Sequence, residues 1–196
     1  MGKLIAAINM TIDGYCDHTA GIADEELHQH YAELLSSADT VLYGRITYQL
    51  MQYWQTVVNN PTGNKAMDEF ALIMDKVPKI VFSRTMNNAD PLDIGWASAR
   101  LASREPEEEV LALRQTNHSG SKDIFVGSPS LIVALTKAGL IDECQLCIHP
   151  VITGSGLPLF KSINDKILLK LIKTKSFGSG AIILYYEPTG NKPSFI

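Results

Sequence analysis

Cysteine, long apolar runs and an excess of positive charge are all scarce in this sequence. The 196 residues hold three cysteines, Cys16, Cys144 and Cys147. An odd count, behind an N-terminus that meets polar Asn9 too early for a signal peptide, argues against a disulfide framework. No apolar stretch approaches the ~20 residues needed to span a bilayer, so the chain is expected to be cytoplasmic and free of membrane contact. Lys and Arg number 17 against 21 Asp and Glu, a net charge of −4. No global positive field therefore exists to draw in a nucleic-acid backbone, and a nucleic-acid partner is not expected.

Two short motifs are set aside on the same physical grounds. Cys144-Gln145-Leu146-Cys147 has the spacing of redox and zinc sites, but it lies in an alternating stretch that reads as a strand. Residues three apart there point to opposite faces and cannot share a metal, so no metal is expected. Asn9-Met10-Thr11 and Asn117-His118-Ser119 match the glycosylation sequon, which a cytoplasmic chain does not use.

What is present is a globular balance, 45% hydrophobic and 19% charged, unlike disordered, collagen-like or coiled-coil sequences. At roughly 150 residues per domain, the length fits a single domain over residues 1–196. Leu4 to Ile8 is a short apolar run suited to a buried strand, followed by the Asp13-Gly14 turn. Asp24 then offers an N-cap for an amphipathic helix carrying Leu27, Tyr31, Leu34 and Leu35. Thr40 to Tyr43 reads as a second strand running into a helix through Met51 and Trp54. A further helix face is formed by Met67, Phe70, Ala71 and Met74.

Lys79 to Phe82 is a third strand, a helix opens at Pro106, and Asp123 to Val126 is a fourth strand. The acids Glu107 to Glu109 in the first turn of that helix complement its dipole. Ser128 is predicted as the N-cap of the next helix, with Pro129 at its first position and Gly139 at its end. Cys144, Leu146 and Ile148 then form the drier face of a strand, with Gln145, Cys147 and His149 on the other. Lys166 to Lys175 and Ala181 to Tyr186 complete the order as a hairpin. Strand–helix units followed by an antiparallel tail imply an α/β fold: a mostly parallel twisted sheet, helices on both faces, and antiparallel C-terminal strands.

Ligands of such sheets bind beyond the carboxyl ends of the strands. Three ends share a composition: Gly44-Arg45-Ile46-Thr47, Ser83-Arg84-Thr85 and Gly127-Ser128-Pro129-Ser130. None is a Rossmann fingerprint or a P-loop. Each alone is what plain folding also requires. Together, with Arg45 and Arg84 able to bind phosphate in bidentate fashion, they point to a ligand carrying several phosphates. His149 is either a satisfied structural histidine or a group near the ligand. Tyr15, Tyr48 and Trp54 are either core residues or stacking surfaces for a planar ring.

These segments, with Ala6-Ala7, Ile12-Asp13-Gly14-Tyr15 and the tail from Gly139 through Pro150-Val151-Ile152-Thr153-Gly154-Ser155-Gly156-Leu157-Pro158-Leu159-Phe160, resemble the dihydrofolate reductase-like superfamily. Nearly the whole chain is covered, and the tail is closest to the reductase domain at the C-terminus of the bifunctional riboflavin-biosynthesis deaminase-reductase. The resemblance implies a three-layer α/β/α dihydrofolate reductase-like fold and an NADPH site. Gly44, Arg45 and Thr47 would hold the pyrophosphate and 2′-phosphate region, Ser83 and Arg84 the adenosine 2′-phosphate, and Gly127, Ser128 and Leu131 the far side of the pyrophosphate. Ala7 and Ile12 would line the nicotinamide, with Asp13 and Gly14 in the loop beside it and Gly154 and Gly156 bordering the substrate.

Two departures stand out. Serine occupies the second position of a turn that usually carries two glycines, at Ser128. The buried carboxylate that folate reductases place on the first helix falls on His28, which, with Asp13, becomes the catalytic candidate. The implied activity is hydride transfer from NADPH to a C=N or C=O of a small heterocycle, pterin-like or ribosylaminopyrimidine-like. The alternatives are an NADP-binding protein without efficient catalysis, and an interaction module in which a sheet edge around Ile141 to His149 pairs two chains as a homodimer. No H-x-E with P-C-x-x-C pattern appears, so a riboflavin role would need a separate deaminase.

Overall fold

The computed structural model describes residues 2–86, 95–116 and 122–189. The second sequon, Asn117-His118-Ser119, lies outside them. The chain runs β1 (Leu4–Thr11), α1 (Glu25–Ser36), β2 (Ala38–Gly44), α2 (Arg45–Met51), α3 (Tyr53–Asn59), α4 (Lys65–Lys76), β3 (Lys79–Phe82) and β4 (Ala99–Leu101). It continues with α5 (Pro106–Thr116), β5 (Asp123–Val126), α6 (Pro129–Lys137), β6 (Glu143–His149), β7 (Leu169–Ser176) and β8 (Ile182–Pro188). One eight-stranded sheet has the order β4-β3-β2-β5-β1-β6-β8-β7. Strands β4 to β6 of that order are mutually parallel, and β8 is antiparallel to both β6 and β7.

Both faces are covered, which makes the three-layer α/β/α arrangement of the dihydrofolate reductase-like fold. On one face Leu4, Ala6, Ile8, Leu42, Ile124, Val126 and Leu146 meet Val110, Leu131, Ile132 and Leu135 of α5 and α6. On the other, Ile5, Val41, Tyr43, Val81 and Phe125 meet Ala32, Leu35, Phe70 and Met74 of α1 and α4. Strand alternation sorts successive residues to these two layers. Central parallel strands buried on both sides read as continuous apolar runs, as β1 and β2 do.

Local chemistry explains the elements. Asp24 caps α1 as predicted, its Oδ1 accepting the Leu27 N–H at 2.8 Å. Gly139 ends α6 in the left-handed region, φ 67°, which glycine adopts without penalty. The helical stretch after Gly44 is divided at Gln52 into α2 and α3. Strand β4 has only three residues, too few for a period to be legible. Strand β7 begins at Leu169, three residues later than the sequence suggests.

Two corrections concern β6. Gln145, Cys147 and His149 do not face water: they are 7%, 0% and 3% exposed, because α1 and the β7–β8 hairpin cover them through Leu27, Phe177, Ala181 and Ile183. Nor is β6 an edge. It lies between β1 and β8, and the edge position belongs to β7. Cys144 and Cys147 pack in different layers, and burial pushes both thiols up to about 11.

Candidate functional site

Register alone aligns the three turns along one edge of the sheet. Gly44 pairs with Phe82, so Arg45 is the neighbour of Ser83 and Arg84. Leu42 pairs with Val126, bringing Gly44 beside Gly127 and Ser128. Ala6 pairs with Val126, so Ala7 adjoins Gly127. Next to β1 lies β6, with Asn9 opposite Cys147 and Thr11 opposite His149. The result is a continuous row from Arg84 to His149 at the carboxyl ends.

Within this row Ser128 departs from its predicted role. It makes no side-chain bond to the first turn of α6. Its Oγ instead accepts the Gly44 backbone N–H at 2.8 Å, and at 1% exposure the side chain is sealed between the two turns. Helix α6 therefore starts uncapped. Pro129 has no N–H, and the first helical bond in the turn is Ile132 N–H to Ser128 O at 2.9 Å. The amides of Ser130 and Leu131 are left as the orphan donors that helix starts present to anions.

The other turn residues divide into donors and supports. Arg45 and Arg84 are exposed, and among the described residues neither has an ion pair or hydrogen bond. Ser83 is a support: its Oγ accepts the amides of Thr85 at 3.2 Å and Met86 at 2.9 Å. Leu131 is a core residue at 6% exposure, so only its backbone reaches the turn. Thr47 is half-buried. A Cβ on Gly127 would stand 3.1 Å from Cε1 of Tyr43 and 3.7 Å from the Ala7 carbonyl oxygen, so a bare Cα is required there.

The loop after β1 is zipped to the segment 150–159. Ile12 N–H donates to Val151 O at 3.0 Å, Cys16 N–H to Leu157 O at 2.8 Å, and Tyr15 bridges Pro158. Asp13 latches the two segments. Thr11 Oγ1 donates to its Oδ1 at 2.5 Å and the Gly154 amide to its Oδ2 at 2.7 Å. The Thr11 hydroxyl chiefly holds its carboxyl below the usual range, against the opposing effect of burial and with smaller help from the Gly154 and Thr153 amides. An ionised carboxylate with its lone pairs engaged has no proton to give. Gly156, at φ 142°, lies against Tyr15, whose Cβ would be 3.2 Å from an added methyl. Gly14 has φ 90° at the tip, and Ile12 is 61% exposed.

His28 is half-buried between helices. Its Nδ1 contacts the Asp24 carbonyl at 2.9 Å, and its ring meets Trp54 at 5.9 Å and Phe70 at 6.3 Å edge-on. Tyr48, 0% exposed, is a core residue against Trp96. Ser130, within the third of the turns, is exposed beside Gly44. One site residue escapes the sequence reading: Asn9, exposed two residues beyond Ala7 on the same face of β1. Alternation from Ala7 is the signal that could have singled out Asn9.

The described cavities lie elsewhere. One of about 460 Å³ sits at the amino ends of β2 to β4, lined by Asp39, Lys79 and Ser98. Another of about 390 Å³ separates α1 from β7. The row of turns lies apart from both; this trough of strand ends is where an extended ligand would meet donors.

A family model, the RibD C-terminal domain, matches residues 2–183. The chain belongs to this family. It is 32% identical over 192 residues to the uncharacterized protein YyaP of Bacillus subtilis (strain 168), covering 96% of each chain. Among solved structures it is similar to a putative riboflavin biosynthesis protein from Shewanella sp. PV-4, with TM-score 0.68, 17% identity, and coverage of 97% of this chain and 100% of that one. It is also similar to a diaminohydroxyphosphoribosylaminopyrimidine deaminase/5-amino-6-(5-phosphoribosylamino)uracil reductase from Thermotoga maritima. There the TM-score is 0.64 and the identity 14%, over 96% of this chain and 57% of that one. At these identities the structural likeness shows the shared fold.

Proposed function

We propose that this RibD C-terminal family member is an NADPH-dependent reductase acting on a C=N or C=O of a small heterocycle, pterin-like or ribosylaminopyrimidine-like, in the cytoplasm. The observation that carries this reading is the uncapped start of α6 in the same row of strand ends as two exposed guanidiniums, Arg45 and Arg84, that have no partner among the described residues. Backbone donors and planar cations suit a ligand with both a pyrophosphate and a further phosphate, and the donor set thus fits NADPH.

When bound, that cofactor supplies the hydride. The chain's own part is placement. Arg45 and Arg84 anchor the phosphates, the Ser130 and Leu131 amides take the pyrophosphate, and Gly127 lets its turn pack closely against Tyr43 and Ala7. Ala7, half-buried beside Gly127, forms the floor on which the reacting rings lie. Asp13 orders the loop rather than donating a proton, and the proton comes from water at the exposed mouth near Asn9.

Titration with NADPH and NADH, followed by nicotinamide fluorescence and melting temperature, tests the cofactor site. Micromolar binding of NADPH with a higher melting temperature and weak NADH binding is the expected result; no binding of either removes the reading. A second reading, an NADP-binding protein without efficient catalysis, is favoured by the engagement of the carboxylates near the site. Asp13 holds Gly154 and Asp24 holds Leu27 and Ser179. Substrate-dependent NADPH oxidation across pterins and ribosylaminopyrimidines separates the two.

We further assign a homodimer to the proposed enzyme, through β7. Leu169, Leu171 and Ile172 of β7, with Ile182 at the start of β8, are 39–49% exposed, an apolar concentration of the kind that marks an interface.

A further inference from the structure

The orientation of one exposed amide in the trough is dictated from inside the protein. The Ile22 backbone N–H donates to His149 Nδ1 at 3.1 Å, so Nδ1 carries no proton. In the neutral ring the proton then sits on Nε2. Burial holds the His149 ring below its ordinary range, which favours the neutral form near pH 7. Nε2 lies 3.0 Å from Asn9 Oδ1, and a donor there requires the amide oxygen as its partner. Tyr31 donates its hydroxyl to the same oxygen at 2.9 Å. The Asn9 oxygen is thus turned inward by two donors. Its Nδ2, with two N–H groups, is left on the other side of the amide from those donors, without a partner among the described residues, and the residue is exposed. A wrong amide orientation would set donor against donor at His149.

We propose that Asn9 is a specificity-determining residue whose outward amide donates to a carbonyl oxygen on the substrate ring, so that the site selects a lactam-type heterocycle over one bearing amino groups at that position. His149 and Tyr31 are positioning residues. The inference rests on the reductase reading, in which the reacting rings lie over Ala7. Asn9 follows Ala7 on the same face of β1, about 6.7 Å farther along the strand, which places its donors beside the ring rather than beneath the phosphates. A pre-oriented donor system costs little ordering on binding and discriminates against a partner that leaves it unmatched.

The test uses the full chain, NADPH, and two pyrimidines of one shape: 5,6-diaminouracil, with carbonyls, and 2,4,5,6-tetraaminopyrimidine, in which amino groups replace them. On the wild-type protein, nitrogen-15 NMR of His149 should show a proton-free Nδ1 and a protonated Nε2. With NADP bound, diaminouracil should shift the Asn9 side-chain amide, and tetraaminopyrimidine should not. Asn9→Asp keeps the inner oxygen for His149 and Tyr31 but removes the outward donors. It should weaken diaminouracil binding by at least about tenfold and leave NADPH affinity within about twofold. A proton on Nδ1, equal amide shifts with both pyrimidines, or unaltered diaminouracil binding by Asn9→Asp would overturn the proposal. If the wild type binds NADPH but not diaminouracil, this inference alone falls. If it binds neither, the reductase reading falls and takes this inference with it.

Discussion

The Ser128 hydroxyl oxygen accepts the Gly44 amide across two neighbouring strand ends at 2.8 Å. One bond thereby joins the β2 and β5 turns and withdraws the serine from capping α6. Removing it in Ser128→Ala strands a part-buried N–H, for which a loss of about 1–3 kcal/mol is expected. Denaturant unfolding measures it directly. NADPH binding should weaken as well, since Gly44 and the start of α6 lose their common anchor. Unchanged stability would show that the Gly44 amide finds another acceptor.

Arg45 directly follows Gly44 and Arg84 lies two residues past Phe82, and Gly44 and Phe82 pair, so the two arginines stand at neighbouring strand ends. Under the proposed function, Arg45→Ala and Arg84→Ala should each weaken NADPH by on the order of 10- to 100-fold. NADH, which lacks the 2′-phosphate, should lose far less. Nicotinamide fluorescence titration gives both affinities. An equal loss for the two cofactors would move the arginines from the 2′-phosphate to the pyrophosphate or to no phosphate at all.

Why some of this was legible in the sequence and some was not follows from the range of the interactions. Apolar periodicity recovers the β1, β2, β3 and β5 strands and the α1 and α4 helices because each pattern is local and spans enough residues to repeat. Asp24 as a cap is equally local. Ser128 looks like a cap too, but its partner is 84 residues away, and nothing in the sequence around it signals a long-range competitor. The same holds for β6. Alternation correctly puts Cys144 and Cys147 on opposite faces, yet it takes the polar residues Gln145 and His149 as a wetter side, although long-range packing by α1 and the hairpin buries them. Asp13 as an acid and Ser83 as a ligand group are weighed differently once their backbone partners are visible.

His30 supplies a pH-dependent contribution to stability. It lies between α1 and β7, with Lys175 Nζ 3.2 Å from Nδ1 and the Tyr185 hydroxyl 3.4 Å from Nε2. Burial first, then the Lys175 charge, push it down to about 4, against an upward pull from Glu33 and with a smaller downward push from Lys173. Its unfolded value is about 6.5. Between those values the unfolded chain binds more protons than the folded one, so stability falls as pH drops through the window and is fully present above it. His149, also held low by burial, acts in the same direction. Denaturant midpoints measured from pH 7.5 to 4.5 should decline, and His30→Gln should flatten part of the slope. An identical slope in the variant would assign the acid sensitivity to other groups.

Strand β7 is the terminal strand of the sheet among the described residues, and all eight of its residues are exposed. Edge strands are commonly protected by lysines, and Lys170, Lys173 and Lys175 stand here. Two of them fold back: Lys173 Nζ lies 4.4 Å over the Tyr185 ring and Lys175 Nζ 5.1 Å over Phe177. That leaves Leu169, Leu171 and Ile172 uncovered, at 39%, 49% and 47% exposure. If two copies join there, light scattering at micromolar concentration should give twice 21.5 kDa. Leu171→Lys, which places a charge in the middle of the strand, should return the protein to a monomer without lowering its melting temperature below that of the isolated subunit. A wild-type monomer at that concentration would remove the dimer from the proposed function and leave the apolar strand to another partner.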